Sequence, residues 1–433
     1  MLDFLLYSIL PFLFILGFCI TIHELGHFIF AKLSKIPVEK FSIGFGPPLL
    51  RMKIGETDFR IAYFPLGGYV KMAGEDEGEI AKKEKTEVSD VPGFYDAPIW
   101  KRIVVVFCGP LFNILSAGIV LFVMILAYGV IVTPFMKIAV DASSYYARQG
   151  FATNDSIVAV NDMPVQNWEA LWEIVDRTTD NRVRITVIRD DGSMHVLHAR
   201  IDEDSAGIAP LVPPVAGALK QNSPADKAGM AQGDTIISIN GTTITSWTGM
   251  VEIVRTAHNT PLQFTWVHQG DTLAAAITPE PFYDPVEADT IGQIGVFMPH
   301  GRTHVSFLRA FVLSIQRTAE MIYRVLEIFY QLITRQIPAR QLGGPIAIFR
   351  LSTESAQWGF EYLLGLLAII SINLGLINLF PVPALDGGHI VIAVIEAIRH
   401  KRFSSRTRLI IQQVGYALIF LLIIFVTFND ITR

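Results

Sequence analysis

The chain has 433 residues, 51% hydrophobic and 17% charged, with a net charge of −5. A mean hydropathy of +0.42 is too high for an ordinary soluble protein and too low for a chain wholly in lipid. The balance predicts a membrane protein with a sizeable water-exposed part, and the lack of a basic block argues against a nucleic-acid partner.

Four stretches, roughly 4–31, 103–132, 361–381 and 408–428, are long enough to cross about 30 Å of hydrocarbon at 1.5 Å per residue. The first contains His23-Glu24-Leu25-Gly26-His27. In a helix, positions 23 and 27 are one turn apart and share a face. Two imidazoles so placed can bind one Zn2+, and Glu24 beside the first can act as general base on a water held there. Ionisable groups inside a bilayer cost roughly 2.5–3.5 kcal/mol each on insertion scales, so such a cluster points to function. This span lacks a basic flank at its start, and we expect it to be retained rather than cleaved as a signal peptide.

Phe41-Ser42-Ile43-Gly44-Phe45-Gly46-Pro47 and Ile61-Ala62-Tyr63-Phe64-Pro65-Leu66-Gly67-Gly68-Tyr69-Val70 alternate apolar residues with glycine-rich turns, which predicts β-hairpins. Residues 74–90 are charge-rich and read as a loop. The second span carries Gly109-Pro110-Leu111-Phe112-Asn113. There Asn113 is open to two readings, a hydrogen bond to substrate or polar packing within the core. Cys19 and Cys108 fall inside spans and read as packing, leaving the exterior without a disulfide. Lys32, Lys35, Lys40, Arg51, Lys101 and Arg102 between spans one and two, and Arg399, Lys401, Arg402 and Arg406 between spans three and four, place both short loops in the cytosol. Both termini and the long segment 133–360 then lie outside.

That segment contains a repeat. Residues 144–175 align without a gap on 223–254, and Ser144, Gly150, Ala152, Asp155, Ile157, Asn161 and Trp168 meet identical residues. Each copy predicts a short helix, a strand, a second helix and two more strands. Asn154 stands opposite Gly233, and Asp162 opposite Gly241. The string from Ser223 to Gly241 resembles PDZ domains of the bacterial, circularly permuted kind. The resemblance implies extended-peptide grooves bordered by Ala206-Gly207-Ile208 and Ile294-Gly295-Val296. A degenerate spacer is the other reading of this pair. Residues 305–335 carry Arg309, Arg317, Glu320, Arg324 and Glu327 along an apolar stretch and read as an amphipathic helix on the membrane or on protein.

After the third span the chain reads Asn378-Leu379-Phe380-Pro381-Val382-Pro383-Ala384-Leu385-Asp386-Gly387-Gly388-His389. Pro381 and Pro383 end regular helix, and the freed backbone needs burial in protein. Asp386 is then an anion at membrane depth, whose cost a metal would offset. Together with the His-Glu-x-x-His string, this run resembles the motifs of site-2 proteases, the intramembrane zinc metalloproteases, over essentially the whole chain. The resemblance implies His23, His27 and Asp386 as zinc ligands, Glu24 as general base and Asn378 as a donor to the substrate carbonyl or developing oxyanion. It also implies a membrane-associated β region beside the zinc, with Gly44, Phe45, Gly46, Gly67 and Gly68 at a substrate-pairing edge and Asn113 close by. His389 is expected to be a polar neighbour rather than a ligand.

The expected fold class is a polytopic α-helical membrane protein with four transmembrane helices, membrane-associated β-hairpins and two α+β PDZ-like domains between spans two and three. The expected divisions are 1–132 (spans one and two with the β region), 133–212 and 213–300 (PDZ-like domains), 301–360 (amphipathic helix and linker) and 361–433 (spans three and four). The implied activity is intramembrane endoproteolysis of single-pass membrane proteins after a first external cut. The resemblance names an anti-sigma factor of the envelope stress response and remnant signal peptides as substrates. It places the chain in the bacterial inner membrane, with the zinc site near the cytosolic side and the termini and PDZ-like domains in the periplasm. A non-catalytic PDZ scaffold with a structural zinc would need no base, and Glu24 argues against it. A metal transporter would need ionisable residues along spans two and four, where they are nearly absent.

Overall fold

The computed structural model describes residues 4–74, 93–178, 182–200, 207–284, 289–338 and 343–432. The loop expected at 74–90 falls almost wholly outside them, as does Ala206. The chain divides into two compact units, Met1–Ala127 with Ser306–Arg433, and Tyr128–Val305.

The first unit opens with α1 (Leu5–Leu33). Its buried residues Ile15, Cys19, His23, Gly26, His27 and Ala31 recur every three or four positions and so form one face. Strands β1 (Val38–Ile54) and β2 (Thr57–Met72) follow. Each long strand folds back on itself. Residues 38–43 pair with 68–72 on one side and with 58–61 on the other, and 48–54 pair with 57–62. The result is one small sheet in place of separate hairpins, with 68–72 along one edge. Helix α2 (Ile99–Tyr128) buries Arg102, Val105, Gly109, Asn113, Ser116 and Ala117 on a single face. It stops short of the expected residue 132 because β3 (Val130–Val132) leaves helix to pair with a strand at Gly301–Thr303.

The second unit holds two copies of one arrangement. The first runs β4 (Ile138–Val140), α3 (Tyr145–Arg148), β5 (Ser156–Val160), β6 (Met163–Pro164), α4 (Trp168–Asp176), β7 (Arg182–Ile188), β8 (Met194–Arg200) and β9 (Ile208–Pro210), with sheet order β6-β5-β7-β8 and β9 on β4. The second runs α5 (Pro224–Lys227), β10 (Thr235–Ile239), β11 (Thr242–Thr243), α6 (Trp247–Thr256), β12 (Leu262–His268) and β13 (Asp271–Ile277), in the matching order β11-β10-β12-β13. A hairpin of β14 (Glu280–Asp284) and β15 (Asp289–Gln293) follows, then β16 (Gly301–Thr303) against β3. Asn167 and Ser246 cap α4 and α6 by accepting the backbone N–H three residues on. The divergent positions fit the same backbone: φ is 76° at Asn154 and 94° at Gly233, 62° at Asp162 and 80° at Gly241. Asn and Asp are the residues besides Gly that enter this left-handed region readily.

The first unit then resumes. Helix α7 (Phe307–Ile333) packs Met321, Ile322 and Val325 against Ala117, Leu121 and Ile372, while Phe307, Leu308, Tyr323, Tyr330 and Ile333 stay exposed. The stretch read as linker contains a further helix, α8 (Pro345–Trp358), which the buried Asp430 caps from afar by accepting N–H groups of Gly344, Ile346 and Ala347. Pro345 at the first helical position is the signal that was passed over. Helices α9 (Phe360–Asn378), α10 (Asp386–Arg399) and α11 (Ser405–Thr432) complete the chain. Among the described residues, α1, α2, α9 and α11 are long and apolar enough to cross a membrane.

Candidate metal centre

Two helices bring donor atoms together. His23 and His27 project from one face of α1, and Asp386 from the first turn of α10. His23 Nε2 is 3.1 Å from His27 Nε2 and 3.1 Å from Asp386 Oδ2, and His27 Nε2 is 3.5 Å from Asp386 Oδ1. A tetrahedral ion with bonds of about 2.0–2.1 Å needs ligand atoms about 3.3 Å apart, so these spacings match its edges. The donor chemistry fits as well. His27 Nδ1–H donates to the Val105 carbonyl at 3.0 Å, which leaves Nε2 with its lone pair turned toward the other two groups. Asp386 Oδ2 is buried without a hydrogen-bond donor. Cys19 lies elsewhere, among Ile15, Leu363 and Leu367.

Glycine makes this approach possible. A Cβ on Gly26 would meet the Cys108 carbonyl, and one on Gly109 would run into the His27 ring. α1 and α2 therefore touch backbone to backbone beside the histidines. Pro110 follows in α2 and supplies no N–H to the carbonyl four residues before it, that of Val106, one position beyond the Val105 carbonyl that meets His27. A backbone carbonyl carries no side-chain signature, so Val105 was not foreseen.

The remaining expected residues are distributed as follows. Glu24 follows His23 on α1 and takes a backbone hydrogen bond from Val70. Gly68 packs between Ile20 and Glu24, where a Cβ would come within 3.0 and 3.1 Å of those side chains. Gly44 and Gly46 have φ near 90° and lie against Phe64, while Phe45 stacks on Tyr69 and covers Gly67. Asn378 Nδ2 lies 3.5 Å from His23 Nε2, at the outer edge of hydrogen-bond reach. Asn113 is fully buried with Nδ2 3.5 Å from His23 Nδ1, and its carbonyl accepts from Ser116 and Ser371 at 2.8 and 2.9 Å. His389 lines a small cavity together with Arg102 and Arg408. In the other unit, Gly207 and Gly295 each press on the serine that caps the first helix of their copy, Ser144 and Ser223, while Ile208 pairs with Val140 and Val296 bridges to Leu219.

A family model described as "Peptidase family M50" matches residues 11–422. The chain belongs to peptidase family M50. It is 32% identical to the regulator of sigma-E protease RseP of Escherichia coli, over 100% of both chains, and 31% identical to that of Salmonella typhimurium, over 99% of both. It is 32% identical to the zinc metalloprotease RasP of Geobacillus kaustophilus, over 98% of both. The M50 assignment makes the protein a site-2-type metalloprotease, and with four long apolar helices it is a multi-pass membrane protein. A solved PDZ domain of an SdrC-like protein from Listeria monocytogenes aligns with 19% of this chain and 84% of its own length, at 19% identity and a TM-score of 0.17.

Proposed function

We propose that this M50 protease is a zinc-dependent intramembrane endopeptidase with His23, His27 and Asp386 as ligands, Glu24 as general base and Asn378 as oxyanion donor. The observation that carries the reading is the cluster of His23 Nε2, His27 Nε2 and the two Asp386 carboxylate oxygens, in contact at 3.1, 3.1 and 3.5 Å, with Glu24 one residue from His23. When bound, zinc polarises the scissile carbonyl and makes a water acidic enough to attack near neutral pH. Glu24 takes the proton from that water and returns it to the leaving amine. The Asn378 amide donates to the oxygen on which charge develops. Asn113 is buried against His23 with its backbone carbonyl held by two serines; with its side-chain amide turned so that Oδ1 accepts the His23 Nδ1–H, it orients that ligand rather than touching substrate. An unwound substrate helix pairs alongside the edge segment at Gly68 and so carries a peptide bond past Glu24. Gly68 leaves room there for a backbone to pass.

The substrates in this reading are single-pass membrane proteins already trimmed outside. An anti-sigma factor and remnant signal peptides are the expected examples, supported by full-length similarity to proteins named regulator of sigma-E protease. The protein lies in the bacterial inner membrane, with its termini and the repeated units, read as PDZ-like domains at 133–212 and 213–300, in the periplasm. That orientation is supported by the basic residues of the two short loops. The repeated pair acts as a size filter that turns away substrates with a bulky exterior. The decisive experiment combines metal analysis with cleavage of a reporter helix in detergent, comparing the parent chain with Glu24→Gln. We expect zinc to be retained and turnover to fall by about 10²–10⁴-fold. Parent-like turnover sinks the base assignment, and a parent without zinc sinks the metal assignment.

A further inference from the structure

α2 and α10 both reach the histidines of α1, and they are joined directly to one another by Arg102 and Glu396. On α2, Arg102, Val105, Gly109 and Asn113 follow one another at three- and four-residue steps and so share a face. The last three touch the two histidines through the Val105 carbonyl, the bare Cα of Gly109 and the Asn113 amide. Arg102, at the near end of the same face, touches neither. Its Nη1 donates to Glu396 Oε2 at 2.8 Å, and the two side chains are 4% and 0% exposed. Glu396 lies on α10, three turns beyond Asp386. Asp386, His389, Ala393 and Glu396 again follow at three- and four-residue steps, so the carboxylate that faces the histidines and the one that faces Arg102 belong to one side of one helix.

The surroundings hold this pair in a single geometry. Glu396 Oε1 accepts the Phe403 N–H at 3.0 Å and has Arg408 Nη1 of α11 at 3.9 Å. The Tyr95 ring lies 4.9 Å from the Arg102 guanidinium and 3.8 Å from that of Arg408. Gly387 and Gly388 bring the start of α10 hard against the carbonyls of Leu379, Phe380 and Val382, so that end of the helix is shaped by its own preceding loop. The far end is tied to α2 through Glu396. A buried ion pair is a poor source of stability compared with apolar side chains of the same volume, and its best-attested use is to fix register. We propose that the Arg102–Glu396 pair is a positioning strut that sets the rotation and height of α10 on α2 and thereby holds Asp386 at the correct distance from His23 and His27.

This inference rests on the reading of those three residues as zinc ligands, and its test separates the two. Removing one partner alone leaves a buried unpaired charge and threatens folding. Because Arg408 also faces Glu396, the informative variant replaces all three charges, Arg102→Met with Glu396→Leu and Arg408→Met, in the full-length chain. Melting temperature, zinc affinity by chelator competition, and kcat and KM on a reporter helix are measured in the same detergent. The strut predicts a melting temperature at or above the parent's, zinc affinity weaker by about 10–100-fold and a lower kcat at an unchanged KM. Zinc affinity and kcat equal to the parent's overturn it. Zinc loss that merely tracks a fall in melting temperature also overturns it, because the pair would then be an anchor for the fold and nothing more. A parent that binds no zinc in the same titration overturns the metal reading itself, and the strut falls with it.

Discussion

In the unit of residues 128–305, each four-stranded sheet covers a cluster of large, fully buried side chains, with Tyr146, Leu171, Ile185 and Val187 in one copy and Ile236, Phe264 and Trp266 in the other. Around the donor atoms of the helical unit the buried groups are small or polar: Gly26, Gly109, Asn113, Ser116 and Ser371. The first construction spreads its stability over many apolar contacts, each worth a kcal/mol or two. The second places three side chains within a few tenths of an ångström by means of close backbone approaches and single hydrogen bonds. A cavity in the sheet unit is a matter of degree, whereas a methyl group beside His27 changes the chemistry.

Substitutions at four positions probe that contrast. Asp386→Ala should have the largest effect, abolishing cleavage and weakening zinc together because one of three protein ligands is gone. Unchanged zinc affinity by chelator competition would remove Asp386 from the site. Gly109→Val pushes side-chain atoms into the space of the His27 ring. Zinc affinity and turnover should each fall by about 10–100-fold, while the melting of the 128–305 unit, isolated by limited proteolysis, stays put. Trp266→Ala empties the centre of the second sheet, where the ring is 1% exposed. It should cost that copy about 3–5 kcal/mol by denaturant unfolding and leave zinc content alone. If the repeated pair acts as the proposed size filter, a substrate still carrying its external domain should become cleavable. Slower cleavage of the trimmed substrate would instead point to recruitment. The smallest effect is expected at Asn154, whose φ of 76° suits Gly as well. Asn154→Gly should be nearly neutral and Asn154→Ala should cost about 1 kcal/mol in the same unfolding measurement.

What was legible in the sequence was local. The His-Glu-x-x-His string and its helix share one turn, and the two α/β copies repeat caps and glycines at matching positions, so both were readable from spacing alone. The spans were readable from length and hydropathy, save for the end of α2, which gives way to a strand whose partner lies far along the chain. Pro381 and Pro383 signalled an interruption, and nothing in that run announced that helix resumes at Asp386 itself, since Gly387 and Gly388 read as breakers. They are there for close packing. The Arg102–Glu396 pair joins positions 294 residues apart. Neither residue has a patterned neighbour, and only the fold brings them face to face.

The donor cluster draws two residues from the first helix and the third from near the far end of the chain. With Asp386 as a ligand, a ribosome that has just made residues 23–27 must add roughly 360 more before the site can close, tens of seconds at 5–20 residues per second. Throughout that interval the growing polypeptide sits in the membrane with its general base in place and no complete metal cage. On the proposed assignment of ligands, base and substrates, a chain under synthesis cannot cut nascent neighbours, or itself, before Asp386 is in place. The order of the ligands along the gene works as a timer, and moving the third ligand ahead of the 128–305 unit would remove it.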